Sequence, residues 1–191
     1  MSGLFPLSFP VLETPRLLLK APKESDAEAI LEMMSNPNVM RYYDWEAHKS
    51  KEDSLKLIQI LNQRYEDKIG LRWFLWHKER QEIIGFAGFY KIELEHDAGL
   101  GYGLKEEFWN KGIMHEALQK ILSYGFAQLQ LHRVYAEVMP ANSASQKLLQ
   151  KLGFLHEGTL RESKYFKEKF NDMSLFALLQ RDWNKFQTSD Y

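Results

Sequence analysis

The 191-residue chain contains no cysteine, which excludes disulfides, thiolate nucleophiles and cysteine-held zinc or iron–sulfur centres. Net charge is nearly absent too: 25 Lys and Arg stand against 26 Asp and Glu. No bulk field therefore draws the chain to a polyanion, and direct nucleic-acid binding is not expected. No apolar run approaches the roughly 18 residues that a membrane span requires, so no membrane partner is expected either. Met1–Pro10 lacks a basic n-region and holds Pro6 and Pro10. It reads as a short leader rather than a secretory signal, and a cytoplasmic setting follows by default.

What is present suits one globular domain over residues 1–191. Leu12–Leu19 reads as a strand. Ser25-Asp26-Ala27-Glu28 reads as a capping box, opening a helix with Ile30, Met33 and Met34 inward. That helix must stop before Asn36-Pro37, because a residue preceding proline is pushed out of the α region. A second helix is expected near Ser50–Asp67, then strands near Arg72–His77, Glu82–Glu93 and Ala98–Leu104. A helix follows from about Gly112 to Leu129, with Ala117, Leu118, Ile121, Leu122 and Leu129 on one face. Arg133–Met139 alternates as a strand, and Asn142 caps a short helix ending at Gly153. Glu157 to about Leu179 reads as two strands joined around Lys167–Asn171. The order β-α-α-β-β-β-α-β-α-β-β implies an α/β (α+β) fold with a mixed sheet.

The segment that carries chemistry is Leu100-Gly-Tyr-Gly-Leu-Lys-Glu-Glu-Phe-Trp-Asn-Lys-Gly-Ile-Met-His-Glu-Ala-Leu118. It is a strand, a short loop with Gly112, and an amphipathic helix. The first amides of a helix lack internal partners and sit at the positive end of the macrodipole, so such a loop can cradle a phosphate; a plain turn is the alternative. Neither a Walker loop nor a dinucleotide fingerprint is present. Gly99, Gly101 and Gly103 share one face of the strand, which marks a bulge or the close approach of a ligand's backbone.

Trp109-Asn-Lys-Gly-Ile-Met-His-Glu-Ala117, preceded by Leu100-Gly-Tyr-Gly-Leu104, resembles the acetyl-CoA motif of the GNAT N-acetyltransferase superfamily. The nearest resemblance is to the branch of ribosomal-protein N-terminal (alanine/serine) acetyltransferases. Leu12-Glu-Thr-Pro-Arg-Leu-Leu-Leu19, Arg133–Ser145 running on to Lys151-Leu-Gly-Phe154, and Glu157-Gly-Thr-Leu-Arg161 with Leu178–Trp183 are similar to further parts of that branch. The resemblance implies a strongly twisted sheet of about seven strands with about four helices. That sheet would splay open between Ala98–Leu104 and Arg133–Met139. It also implies acetyl-CoA as acetyl donor, with no metal. The pantetheine arm would lie along Tyr102, Gly103 and Leu104. The pyrophosphate would sit on amides of Asn110, Lys111, Gly112, Ile113, Met114 and His115, after Trp109.

The implied reaction is attack of a neutral amine on the thioester, which needs a base, an oxyanion donor and a proton for the leaving thiolate. By resemblance a backbone amide near Leu104 meets the oxyanion. Ser145 matches a serine that protonates the thiolate, and Asn142 a residue touching the cofactor arm; both positions also suit helix capping. Many relatives carry a Glu where this chain has Gly99, and another position for the base holds Lys164, so Glu162 and Glu137 are the carboxylates considered. Tyr42, Tyr43 and Trp45, with His48, fall where the family builds its acceptor pocket, or else cover the edge of the core. Lys147 and Lys151 face either the cofactor's 3′-phosphate or solvent. An acidic rim at Glu93, Glu95 and Asp97 would favour cationic acceptors. The acceptor is expected to be the N-terminal α-amine of a (ribosomal) protein; a small amine (polyamine, amino acid or antibiotic) is the alternative. A non-catalytic acyl-CoA sensor is the reading from another class. Dimers occur among relatives, which leaves a homodimer open.

Overall fold

In the computed structural model, which describes residues 4–189, the chain opens with β1 (Leu12–Glu13) and β2 (Leu17–Lys20). Three helices follow: α1 (Ala27–Met34), α2 (Pro37–Met40) and α3 (Lys51–Glu66). Then come β3 (Leu71–His77), β4 (Glu82–Glu93), β5 (Asp97–Leu104), α4 (Ile113–Ala127) and β6 (Arg133–Val138). The chain ends with α5 (Ser143–Lys151), β7 (Leu155–Phe166), β8 (Lys169–Leu179) and α6 (Gln180–Ser189). The strands form one eight-stranded sheet in the order β1-β2-β3-β4-β5-β6-β8-β7. Every pairing is antiparallel except β5 with β6.

Several local expectations need correction. The first strand is broken, because Pro15 interrupts it and Thr14 closes a turn through its amide and hydroxyl to Leu17. Its two halves pair with each other, Leu12 opposite Leu19. Ser25 does not cap α1. Instead a 3₁₀ turn at Glu24–Asp26 precedes the helix, and the Lys23 amide donates to Asp26 Oδ2 at 2.9 Å. Asn36 does end α1, but it also caps α2 by accepting from the amide of Asn38, with Pro37 at the first helical position. The helix α6 was not anticipated, and the described residues carry eight strands and six α-helices rather than seven and four.

The sheet separates two apolar layers. Leu71, Trp73 and Leu75 of β3 face the larger core beneath α4, α5 and Trp183, whereas Phe74 faces the layer of α1, α2 and α3. Trp73 is fully buried, and its truncation to Ala would cost about 3–5 kcal/mol. Phe5 and Phe9, from the expected leader, pack on Tyr65, and the Trp73 indole donates to the Pro10 carbonyl at 2.7 Å. Among the described residues no helix is long and apolar enough to cross a membrane.

Candidate functional site

The parallel pair β5–β6 stays in register only from Asp97–Arg133 to Gly99–Tyr135. Beyond Gly99 the strands part while both continue, β5 to Leu104 and β6 to Val138, after which β6 turns at Met139–Asn142 into α5. Leu100–Leu104 on one side and Ala136–Met139 on the other become the walls of a cavity of about 1060 Å³. A backbone edge with no neighbouring strand is a ready partner for an extended ligand. Glu93, Glu95 and Asp97 do not rim this cavity. They lie at the closed end, where Asp97 is still paired with Arg133.

The N-terminus of α4 opens on the same cavity. Gly112, its N-cap, holds φ +71°, and no side chain caps the helix. Gly112, Ile113, Met114 and His115 line the cavity with Trp109 and Asn110. The Trp109 indole donates to the Leu104 carbonyl at 2.8 Å, tying the loop to the end of β5. Lys111 is not part of the lining; its ammonium lies 5.7 Å from the Phe108 ring. The first turn of α4 is clamped from β1–β2. Glu116 accepts from the Thr14 hydroxyl at 2.6 Å, the Arg16 amide at 2.9 Å and Arg16 Nε at 2.6 Å, while Arg16 Nη1 donates to the Lys111 carbonyl at 2.8 Å. Burial pulls the Glu116 carboxyl up, but these donors outweigh it and hold the group below the usual carboxylate range.

Across the splay, α5 brings Ser145 to β5. Tyr102 Oη and Ser145 Oγ are 2.6 Å apart. Asn142 caps α5 by accepting from the Ser145 amide at 3.2 Å, so the cap also fixes where that serine stands. Burial pushes the Tyr102 phenol well up despite the Ser145 hydrogen bond, so it stays protonated and can keep donating. The Tyr43 hydroxyl donates to the Tyr102 carbonyl, and burial pushes its pKa up as well, so it too stays protonated.

The glycine face of β5 is filled by the protein's own side chains. A Cβ at Gly99 would strike the Tyr90 ring, at Gly101 it would stand 2.8 Å from Arg72 Nη2, and at Gly103 it would strike the Tyr43 hydroxyl and Phe86. The close approach expected there is therefore made by Tyr90, Arg72 and Tyr43. Trp45 stacks on Phe86 with centroids 6.2 Å apart, and Tyr42, Tyr43, Trp45 and His48 all line the cavity. The loop bearing Tyr42 is pinned from the β7–β8 turn, where Lys167 Nζ donates to the Met40 and Arg41 carbonyls at 2.7 and 2.9 Å.

Of the two candidate bases, Glu137 lines the cavity but lies 2.5 Å from the Lys164 ammonium. Glu162 is exposed outside the lining, with its amide on Asp172 Oδ1 at 2.7 Å. The register shift between Leu160 and Lys164 turns Lys164, not Glu162, toward Glu137. Lys147 and Lys151 border the cavity too. Sequence reasoning missed Arg64 and Arg72. A charged residue set between Leu71 and Trp73 in an otherwise apolar strand was the available signal.

Known proteins carry the same plan. Residues 16–155 match the model of the acetyltransferase (GNAT) domain. The chain is 38% identical over 173 residues to the uncharacterized N-acetyltransferase YoaA of Bacillus subtilis, covering 90% of this chain and 98% of that protein. It is 31% identical over 126 residues to the [ribosomal protein uS5]-alanine N-acetyltransferase of Escherichia coli, 65% of each chain. Among solved structures, an acetyltransferase (GNAT family) from Bacillus anthracis superposes with a TM-score of 0.79 at 26% identity, covering 90% of this chain and 99% of that one.

Proposed function

The chain belongs to the GNAT family of N-acetyltransferases, and from that premise we propose that it acetylates a protein N-terminal α-amine, in the cytoplasm, with acetyl-CoA as donor. The observation that carries this reading is the parting of β5 from β6 beyond Gly99, with the N-terminus of α4 opening on the gap. The unpaired stretch Leu100–Leu104 offers backbone groups to a pantetheine arm, and the Asn110–His115 amides suit a pyrophosphate. Asn142 and Trp109 line the same cavity and would border the arm's path.

The chemistry assigned to the chain is direct transfer. The amine nitrogen attacks the thioester carbonyl, an amide near Leu104 donates to the developing oxyanion, and the C–S bond breaks to release the thiolate. Ser145 Oγ, hydrogen-bonded to a phenol that remains protonated, donates a proton to that sulfur and recovers one from water. The amine's proton leaves through water. An α-amine near pKa 7.8 costs about 1 kcal/mol to deprotonate at pH 7, against about 4.6 kcal/mol for a lysine near 10.4. With Glu137 engaged by Lys164 and Glu162 outside the cavity, the site suits the more easily deprotonated amine. That difference favours an N-terminus over a polyamine.

Thiol release from acetyl-CoA tests the proposal directly, since a chain without cysteine contributes no background to a thiol reagent. The acceptor panel holds peptides beginning Ala, Ser or Met, together with spermidine and free amino acids. Release confined to peptides with a free N-terminus is the expected result. Release only with small amines would replace the protein acceptor, and acetyl-CoA binding without release on any acceptor would point to a sensor.

A further inference from the structure

Arg72 is a buried cation of this site, and among the described residues no carboxylate forms an ion pair with it. Arg72 sits on β3 with the same parity as Phe74, so its side chain enters the layer of α1–α3 beside the glycine face of β5. The residue is 7% exposed. Its guanidinium carbon lies 5.3 Å from the ring centroids of both Trp45 and Phe86. Nη2 rests on Gly101, and Nε is buried with no hydrogen-bond partner. Asp44 acts on it only at a distance and is itself exposed. The neighbouring Arg64 lines the same cavity and spends Nη2 on the Tyr90 carbonyl. A largely buried guanidinium on a cavity wall without a counter-charge is costly, and nothing about aromatic packing requires a charge there. Its planar fork of N–H donors matches a carboxylate, which can accept two of them at once.

Position narrows the ligand. Reaction is assigned to the Gly103–Leu104 end of β5, and Arg72 lies over Gly101, two to three residues back. At about 3.3 Å per residue the separation is roughly 7–10 Å along the strand. An α-amino acid's own carboxylate stands too close to its amine to span that gap; the side chain of an acidic second residue reaches it, and a free acidic amino acid approaches it only with its side chain fully extended. Resting on the acetyl-transfer reading above, we propose that Arg72 is an acceptor-specificity residue that receives such a side-chain carboxylate. The same chemistry comes from a protein N-terminus with Asp or Glu at its second position, or from a free acidic amino acid.

Two pairs of acceptors separate these sources: a Ser-Glu peptide against its Ser-Gln isostere, and free glutamate against glutamine. In the wild type the acidic member of at least one pair is expected to show roughly 10- to 100-fold higher kcat/KM, the range of a charge-assisted hydrogen bond. In Arg72→Met, whose side chain suits the Trp45–Phe86 surroundings, the preference collapses toward unity while the KM for acetyl-CoA is unchanged. A preference seen only with free glutamate assigns the small-molecule source. A second readout needs no turnover. The N-acetylated Ser-Glu and Ser-Gln peptides, and N-acetylglutamate and N-acetylglutamine, are titrated onto the CoA-loaded protein while the Arg72 Nε–Hε NMR resonance is followed, assigned by its loss in Arg72→Met. The acidic products should shift it and the amides should not. Acetyl transfer without any acidic preference, or a resonance indifferent to every acid, overturns the role of Arg72 and leaves transfer standing. Absence of turnover on every amine, with the resonance still answering to acid, overturns the transfer reading instead.

Discussion

Gly112 separates fold from ligand more cleanly than any other position at the α4 terminus. Its φ of +71° lies in the left-handed region, where an L-residue costs roughly 1–2 kcal/mol. A Cβ there would meet only Arg16 Nη2, at 3.6 Å, an ordinary contact. Gly112→Ala therefore carries backbone strain and little else. In a chain of this length about 1 kcal/mol moves Tm by roughly 2–4 °C, so the apo alanine variant should melt some 2–8 °C lower. Gly112→Val adds two methyl groups beside the first turn and the Arg16 guanidinium. If the amides there hold the pyrophosphate, losing one charge-assisted hydrogen bond is worth about 1.5–3 kcal/mol. That corresponds to roughly a 10- to 150-fold rise in the Kd for acetyl-CoA.

Calorimetric titration of acetyl-CoA gives the Kd, and thermal melts of the apo proteins give the strain separately. Both variants should lose stability, and Val should lose much more affinity than Ala. A folded Gly112→Val protein with a lowered Tm and a Kd within about twofold of wild type would refute the pyrophosphate assignment, because strain would then be present without any ligand consequence.

Other sites test other links. Ser145→Ala and Tyr102→Phe should each lower kcat with acetyl-CoA affinity retained, and the double variant should lose less than the sum of the two, because they share the 2.6 Å hydrogen bond. Glu116 is held below its ordinary range in the folded state, so its contribution is present above the usual carboxylate pKa and fades as pH falls through the folded value. Glu116→Gln should accordingly lower Tm near neutrality and close the gap to wild type in acid; equal gaps at both pH values would remove the Thr14–Arg16 clamp from the account. Lys105, 6% exposed, bridges Glu32 of α1 at 2.7 Å and Glu82 of β4 at 2.9 Å. Lys105→Ala should cost about 1–2 kcal/mol, since Glu32 remains well solvated, readable as a denaturant midpoint shift with m unchanged.

Where a segment's own pattern decided its state, the sequence was readable. The period-3.6 face of α4, the alternation of β6 and the Asn142 cap each appear within a residue or two of expectation. The glycine before α4 and the strand ahead of it located the mouth of the cavity. Readings failed where long-range pairing decided the outcome. Nothing local to Ser25 shows that Asp26 will take the Lys23 amide. Glu162 and Lys164 share a strand face by alternation, yet the register shift between Leu160 and Lys164 leaves one outside the cavity lining and puts the other on Glu137. The Glu116 clamp spans about a hundred residues of chain, and no window of sequence contains both ends.

Under the proposed reaction, the alternation of β5 would let one short strand serve two ligands. Ala98, Leu100 and Leu104 face the α4 core, and Tyr102 packs against the same layer while its hydroxyl meets Ser145. Gly99, Gly101 and Gly103 face the opposite layer, where Tyr90, Arg72 and Tyr43 close on the backbone. The groups suited to the acetyl donor and those suited to the acceptor are thereby kept on opposite faces of one backbone. The two sets meet only where β6 has left, beyond Gly99. Tyr43 links them, since its hydroxyl reaches from the α1–α3 layer to the Tyr102 carbonyl. Glycine at 101 and 103 thus follows from the side chains that must lie on the strand: any larger residue would push the Arg72 guanidinium or the Tyr43 hydroxyl away from β5.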